Sequence, residues 1–255
     1  MARGLPDAKR LHKVLANAGY GSRREIEKWI VAGRLAVNGR RAELGAKVVR
    51  ADRIMLDGKP LHLRAKTASA RVLALHKPEG VICTLRDPRG RPTAHALLPK
   101  KDDIRWVSVG RLDINTSGLL LFTDNGELAH RLMHPRHEID REYAVRVFGD
   151  VSVGTLSKLT RGVEIDGETY AFEDVVKRGG RGANRWYYCV VRQGRNREIR
   201  RLWESQGCQV SRLIRSRFGN IMLPRDLKAG AYFEVKGIML TDLYRLVNFT
   251  KSRQH

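Results

Sequence analysis

Asp113 stands in a charged turn, Gly110-Arg111-Leu112-Asp113, that opens the stretch GRLDINTSGLLLFTDNGELAHRLMHP, running from Gly110 to Pro135. A carboxylate in such a turn is either a structural partner, capping nearby N–H groups or pairing with Arg111, or a reactive group held on a rigid frame. Competing chemistries have weaker footprints. The His and Cys residues form no CxxC or HExxH spacing; His130, His134 and His137 are the nearest grouping, and Pro135 breaks the helix that would align them, so no metal site is expected. His134 reads instead as a charge partner for a helix C-terminus. No GxGxxG follows a strand, Gly179-Gly180-Arg181-Gly182 reads as a flexible loop, and no serine sits in a GxSxG elbow. What remains is carboxylate chemistry without a cofactor.

The elements around Asp113 would hold it firmly. Leu119 to Phe122 is an apolar run with the length of a buried strand, and Thr123-Asp124-Asn125-Gly126 turns it into a helix. Asp124 followed three residues later by Glu127 predicts an N-cap with a reciprocal carboxylate, and Pro135 ends the helix. Asp113 therefore lies on the loop that feeds a strand of the core.

The surroundings are strongly basic. In 255 residues, 49 Lys and Arg stand against 27 Asp and Glu, a formal charge of +22, while a hydrophobic fraction of 42% suits a globular fold. Such an excess points to a polyanionic partner, and nucleic acid is favoured over a membrane surface. No apolar run approaches the roughly 18 residues of a spanning helix, and MARGLPDAKRLHKVL lacks a signal-peptide core. Cys83, Cys189 and Cys208 are widely spaced and odd in number, which suggests a reducing cytoplasm.

Taken in order, Leu11, Val14, Leu15 and Ala18 predict a short amphipathic helix ending at Gly19. Ser22-Arg23-Arg24-Glu25 predicts a capping box opening a second helix with Ile26, Trp29 and Ile30 inward and Gly33 as its stop. Leu35 to Val37 and Ile54 to Leu56, with Asn38-Gly39 and Asp57-Gly58, read as short strands joined by tight turns. Between Lys9 and Arg41 there are nine Lys or Arg and two acidic residues, a charge pattern suited to phosphates. Residues 65 to 70 are small and polar and read as a linker. Beyond them come a strand from Val72 to Leu75 and a basic loop whose Arg86, Arg89 and Arg91 can reach a phosphate backbone. Further strands are expected at Tyr143 to Phe148, Val163 to Val176, Trp186 to Val191 and Val210 to Arg215, and helices at Val151 to Thr160 and around Ile199, Leu202 and Trp203. The apolar pattern fades after Asp242. The order predicts an α+β fold around a mixed, mainly antiparallel sheet flanked by helices.

These motifs carry a resemblance. LHKVLANAGYGSRREIEKWIVAGRLAVNG resembles the S4 RNA-binding domain, and Arg23, Arg24 and Lys28 are the positions that would face RNA. GRLDINTSGLLLFTDNGELAHRLMHP, with Lys77-Pro78-Glu79-Gly80, Arg141-Glu142-Tyr143, GRNREIRRLWE and SRLIRSRFG in the same order, resembles the S4-containing pseudouridine synthases that modify ribosomal RNA. The resemblance implies an S4 domain over residues 1–64, a linker at 65–70 and a catalytic domain over 71–255. It also implies an isomerisation of uridine to pseudouridine in large-subunit ribosomal RNA, with no cofactor, metal or second substrate.

By the same resemblance Asp113 would be the nucleophile, since a carboxylate is ionised at neutral pH and needs no base to activate it. It would attack the anomeric carbon or C6 of the base, or assist departure of the uracil. Arg200 would pair with Asp113, Tyr143 would stack on the displaced uracil and accept the C5 proton, and Leu213 would close the pocket. Arg111 would fill the gap left by a flipped base, and Lys77, Arg195 and Arg197 would contact RNA. A monomer is expected, with ribosomal RNA as partner and no membrane. The chain stops at Lys251 to His255 without a long basic tail, and the target uridine is not encoded in any motif. The alternative reading is a non-catalytic factor for ribosomal RNA binding or assembly; an inactive relative would be expected to lack Asp113, Tyr143 or Arg200, and all three are present.

Overall fold

A computed structural model describes residues 8–61, 70–99 and 104–249. Most of the expected linker and the residues after 249 lie outside the described residues.

The first unit contains β1 (Lys9–Arg10), α1 (Leu11–Asn17), α2 (Arg23–Val31), β2 (Leu35–Val37), β3 (Arg40–Arg41), β4 (Lys47–Val48), β5 (Ile54–Leu56) and β6 (Lys59–Pro60). The capping box forms: Glu25 N donates to Ser22 Oγ and Ser22 N donates to Glu25 Oε2, both at 3.1 Å. Ile26 and Ile30 then pack on Leu11, Leu15, Leu35 and Ile54. Positive φ at Asn38-Gly39 (52° and 79°) and at Asp57-Gly58 (49° and 76°) closes two tight hairpins in the geometry that suits twisted strands.

The second unit contains β7 (Val72–Lys77), β8 (Val107–Ser108), β9 (Ser117–Thr123), α3 (Gly126–Met133), β10 (Arg141–Phe148), α4 (Val153–Arg161), β11 (Val163–Ile165), β12 (Glu168–Tyr170), β13 (Asp174–Arg181), β14 (Asn184–Val191), α5 (Glu198–Glu204), β15 (Gln209–Phe218), β16 (Ile221–Met222), β17 (Tyr232–Val235) and α6 (Gly237–Arg245). The main sheet runs β13-β14-β10-β15-β9-β7-β17, with β16 on β15 and β8 on β9. Every pairing within it is antiparallel except β15 with β9. The α+β fold with a mixed, mainly antiparallel sheet is thus present.

Burial differs across the sheet. In β7 and β9 alternate residues feed two cores: Leu73, Leu75, Leu120 and Phe122 face α4 and α5, while Val72, Ala74, Leu119 and Leu121 face α3 and α6. Strands covered on both faces read as continuous apolar runs, which is why VLAL and LLLF stand out in the sequence. In β10 and β14 only one face is in a core, through Tyr143, Val145, Val147, Tyr187, Cys189 and Val191.

Four expectations need correction, the first being that Gly179, Gly180 and Arg181, expected in a flexible loop, close strand β13 opposite Trp186, Arg185 and Asn184. Helix α3 is capped by Asn125, whose side-chain oxygen accepts from Glu127 N and Leu128 N at 2.9 and 3.1 Å, rather than by Asp124. Asp124 directly follows β9 beside the start of β7 and accepts the Arg71 N–H at 2.9 Å, so its carboxylate ties the ends of these two strands together. His134 accepts the Arg136 N–H at 3.2 Å and caps the short helical turn Pro135–His137; it uses a lone pair locally rather than a charge against the helix dipole. Strand β17 and helix α6 carry no sharp pattern in the sequence, yet Val235, Leu243 and Tyr244 complete the second core.

Candidate active site

The turn that carries Asp113 is fixed from several sides. Leu112 is buried in the first core and its N–H meets the Cys83 thiol at 3.3 Å. Gly80 N donates to Ile114 O at 2.7 Å, Thr116 N donates to Asp113 O at 3.1 Å, and Arg200 Nη2 donates to Asn115 O at 2.9 Å. The Lys77-Pro78-Glu79-Gly80 turn thereby becomes a scaffold for the Asp113 turn.

The parallel joint between β9 and β15 brings in the next residues. It pairs Ser117 with Ile214 and Gly118 with Arg215, so Leu213 and Arg215 sit beside the exit of the Asp113 turn. Gly118 has φ of +107°, and a Cβ there would lie 2.4 Å from Arg215 O; the two backbones meet only because position 118 lacks a side chain. Antiparallel pairing then sets Tyr143 of β10 opposite Arg215 and Val145 opposite Leu213.

The result is a cavity of about 350 Å³ lined by Arg111, Asp113, Tyr143, Arg195, Arg197 and Leu213, among others. Asp113 and Arg111 also line a second cavity of about 670 Å³, shared with Cys83, Arg86, Arg91 and Arg197. Asp113 is half-buried, Tyr143 and Leu213 are buried, and Arg111 is exposed. Arg195 lies 4.6 Å over the Tyr170 ring and donates to Thr169 O at 2.9 Å, and Arg197 pairs with Glu204 at 3.2 Å; both keep a face toward the cavity. Arg23, Arg24 and Lys28 are exposed on α2.

Arg200 stands behind the cavity wall. It donates to Val210 O and Asn115 O at 2.8 and 2.9 Å, while its buried Nε has no partner among the described residues. It makes no ion pair with Asp113, contrary to the expected direct contact, but lies within its field. Burial pulls the Arg200 guanidinium below its ordinary range, neighbouring Arg197 adds to that, and Asp113 counters it. Two carbonyls, one in the Asp113 turn, have claimed the donors that would have met the carboxylate.

Lys77 also departs from expectation. It is 0% exposed, and its Nζ donates to Pro78 O and Val81 O at 2.8 and 2.7 Å, with burial pushing its ammonium below the usual lysine range. It cannot touch RNA. It braces the Pro78–Val81 turn that in turn holds Ile114.

Sequence reading missed Arg141 and Arg215. Both line the cavity, are buried, and lie 5.3 and 5.6 Å over the Phe218 ring. Burial lowers the Arg141 pKa, with neighbouring Arg215 acting in the same direction. Strand parity held the signal: Arg141 shares a face with Tyr143, and Arg215 with Leu213. Five arginines line the cavity against two acids, Asp113 and Glu198, so it favours an anionic ligand. Among the described residues no three His, Cys, Asp or Glu converge where a metal ion could be held.

Residues 71–205 match the RNA pseudouridylate synthase family and residues 9–60 the S4 domain. The chain belongs to the RNA pseudouridylate synthase family and is an enzyme of that class. It is 52% identical to the ribosomal large subunit pseudouridine synthase B of Yersinia pestis over 230 residues, covering 89% of this chain and 72% of that protein. To the protein of the same name from Escherichia coli K12 it is 52% identical over 231 residues, covering 89% and 79%. A solved pseudouridylate synthase superposes with a TM-score of 0.64 at 24% identity, over 92% of this chain and 99% of that one, which supports the fold.

Proposed function

We propose that this enzyme converts a uridine of large-subunit ribosomal RNA to pseudouridine, with Asp113 as the nucleophile. The observation that carries the reading is the convergence of Asp113, Tyr143 and Leu213 on one arginine-lined cavity. The half-buried cavity takes a nucleotide only after it leaves the RNA stack, an extrusion that costs a few kcal/mol. Exposed Arg111 stands at the mouth to occupy the gap, and Arg23, Arg24 and Lys28 on α2 hold phosphates at a distance.

Inside, the Asp113 carboxylate adds to the nucleotide at C1′ or C6 and the N1–C1′ bond breaks. The uracil turns between Tyr143 and Leu213, C5 bonds to C1′, the Asp113 oxygen leaves C1′ or C6 and the free carboxylate returns, the C5 proton leaves to Tyr143 or water, and N1 gains a proton. Atoms balance without a cofactor. Arg200 is a positioning residue: it fixes the Asp113 turn through the Asn115 carbonyl. The enzyme acts as a monomer in the cytoplasm, on ribosomal RNA during subunit assembly, and residues 65–70 join its RNA-binding and catalytic domains.

The test uses large-subunit ribosomal RNA transcript carrying tritium at uridine C5. Release of about one tritium per RNA is expected; a protein that releases none from any fragment of that RNA does not have this function.

A further inference from the structure

The face of β10 opposite Tyr143 is uncovered. Along β10, Tyr143, Val145 and Val147 enter the first core while Ala144, Arg146 and Phe148 point the other way. Along β14, Tyr187, Cys189 and Val191 go inward, and Trp186, Tyr188 and Val190 point outward. None of the outward residues belongs to a core cluster. Helices α4 and α5 contribute to the core on the inner face, and α3 and α6 to the core against β7 and β9.

The outward side chains form an ordered array. One cross-strand row places Val176, Tyr188, Ala144 and Ile214 side by side, and the next places Trp186, Arg146 and Arg212. Arg178 lies 5.6 Å over the Tyr188 ring, and Phe148 is 48% exposed at the end of β10. Among the described residues Arg146, Arg178 and Arg212 form no ion pair; Arg146 donates to Ser211 Oγ at 2.9 Å. The acid on β10, Glu142, is taken by Ser216 and Arg217 at 2.9 and 3.5 Å.

An apolar protein partner would leave these guanidinia desolvated and unpaired, at a large cost. Phosphates would pair them, and the Trp and Tyr rings offer faces to bases that are not already stacked in a duplex. We propose that the outer face of β13, β14, β10 and β15 is a docking platform for unpaired RNA nucleotides. Bases stack on Trp186 and Tyr188 while Arg146, Arg178 and Arg212 follow the backbone. The platform lies across the sheet from the Asp113 cavity, so it contributes grip and choice of substrate rather than chemistry. It rests on the reading that the chain acts on RNA, and its occupant is a segment separate from the target uridine.

The test uses fluorescein-labelled octaadenylate, which offers no uridine and so reports nothing about isomerisation. Trp186→Ala and Tyr188→Ala should each weaken its binding about five-fold or more in fluorescence anisotropy, and Arg146→Ala with Arg212→Ala should flatten the salt dependence. Ultraviolet cross-linking with peptide mapping should place adducts in residues 184–191. Unchanged affinity in both aromatic variants, or cross-links confined to residues 9–60, overturns the proposal. So does a wild-type dimer in sedimentation that Trp186→Ala splits, since the face would then bind a second copy. Far-ultraviolet circular dichroism matching wild type confirms that each variant is folded.

Discussion

The Arg200 guanidinium donates to the carbonyl oxygen of Asn115 at 2.9 Å and so holds the Asp113 turn through its backbone, two residues past the carboxylate. Its other terminal nitrogen holds Val210 O at 2.8 Å, on the strand that supplies Leu213. One planar side chain therefore sets the spacing between the two walls of the cavity. A lysine has a single terminal nitrogen on a flexible stem and cannot span both carbonyls in the same geometry.

Arg200→Lys is accordingly expected to lower kcat by about 100-fold with KM within a few fold, because a displacement of about 1 Å at a reacting group costs that much. Single-turnover tritium release would measure it. An equal loss carried by KM would make Arg200 an RNA contact instead.

Lys77 tests the scaffold below the turn. Removing its ammonium leaves the carbonyls of Pro78 and Val81 buried without a donor, so Lys77→Met should cost about 2–3 kcal/mol in urea unfolding. RNA affinity of the folded variant should stay within two-fold of wild type. Lower RNA affinity at unchanged stability would place Lys77 at the RNA after all.

Gly118 tests the β9–β15 joint. Alanine at φ of +107°, with its Cβ 2.4 Å from Arg215 O, should destabilise the chain by at least about 2 kcal/mol and move Leu213 away from Asp113. Thermal unfolding and tritium release should fall together; a stable, fully active Gly118→Ala enzyme would show that this crossing is not needed.

The sequence made some of this legible and left some hidden, for physical reasons. Ser22 with Glu25 and the Asn38-Gly39 turn are short-range devices whose outcome depends on neighbours in the chain, and both appear as expected. Asn125 took the cap from Asp124 because Asp124 had a partner at Arg71, distant in sequence. Lys77 is expected at the RNA from the resemblance; only the fold shows the Pro78–Val81 turn wrapping its ammonium. The resemblance points to Asp113, Tyr143, Arg200 and Leu213, but motif order carries no distances. That Arg200 reaches the Asn115 carbonyl rather than the Asp113 carboxylate is visible only in three dimensions.

Asp87 offers a pH test of the basic loop. Arg91 donates to it from its side chain and backbone, which lowers the Asp87 pKa to about 2. A lowered folded-state value means the contribution is present above the ordinary carboxylate range and is lost as pH falls through about 2. Carboxyl carbon chemical shifts should titrate with that midpoint in wild type and at a higher pH in Arg91→Ala, which loses the guanidinium but keeps the backbone N–H. An unchanged midpoint in the variant would rule out the Arg91 guanidinium as the cause.

The proposed chemistry depends on the Asp113 carboxylate acting as the nucleophile. Asp113→Asn changes one oxygen to nitrogen on the protein surface of the cavity, so fold and RNA affinity should match wild type while tritium release falls by at least about 10⁴-fold. Tritium release from C5-labelled large-subunit ribosomal RNA by Asp113→Asn, measured under single-turnover conditions with the folded variant, is the decisive measurement. None above background is expected, and release at the wild-type rate would remove Asp113 from the nucleophile's role.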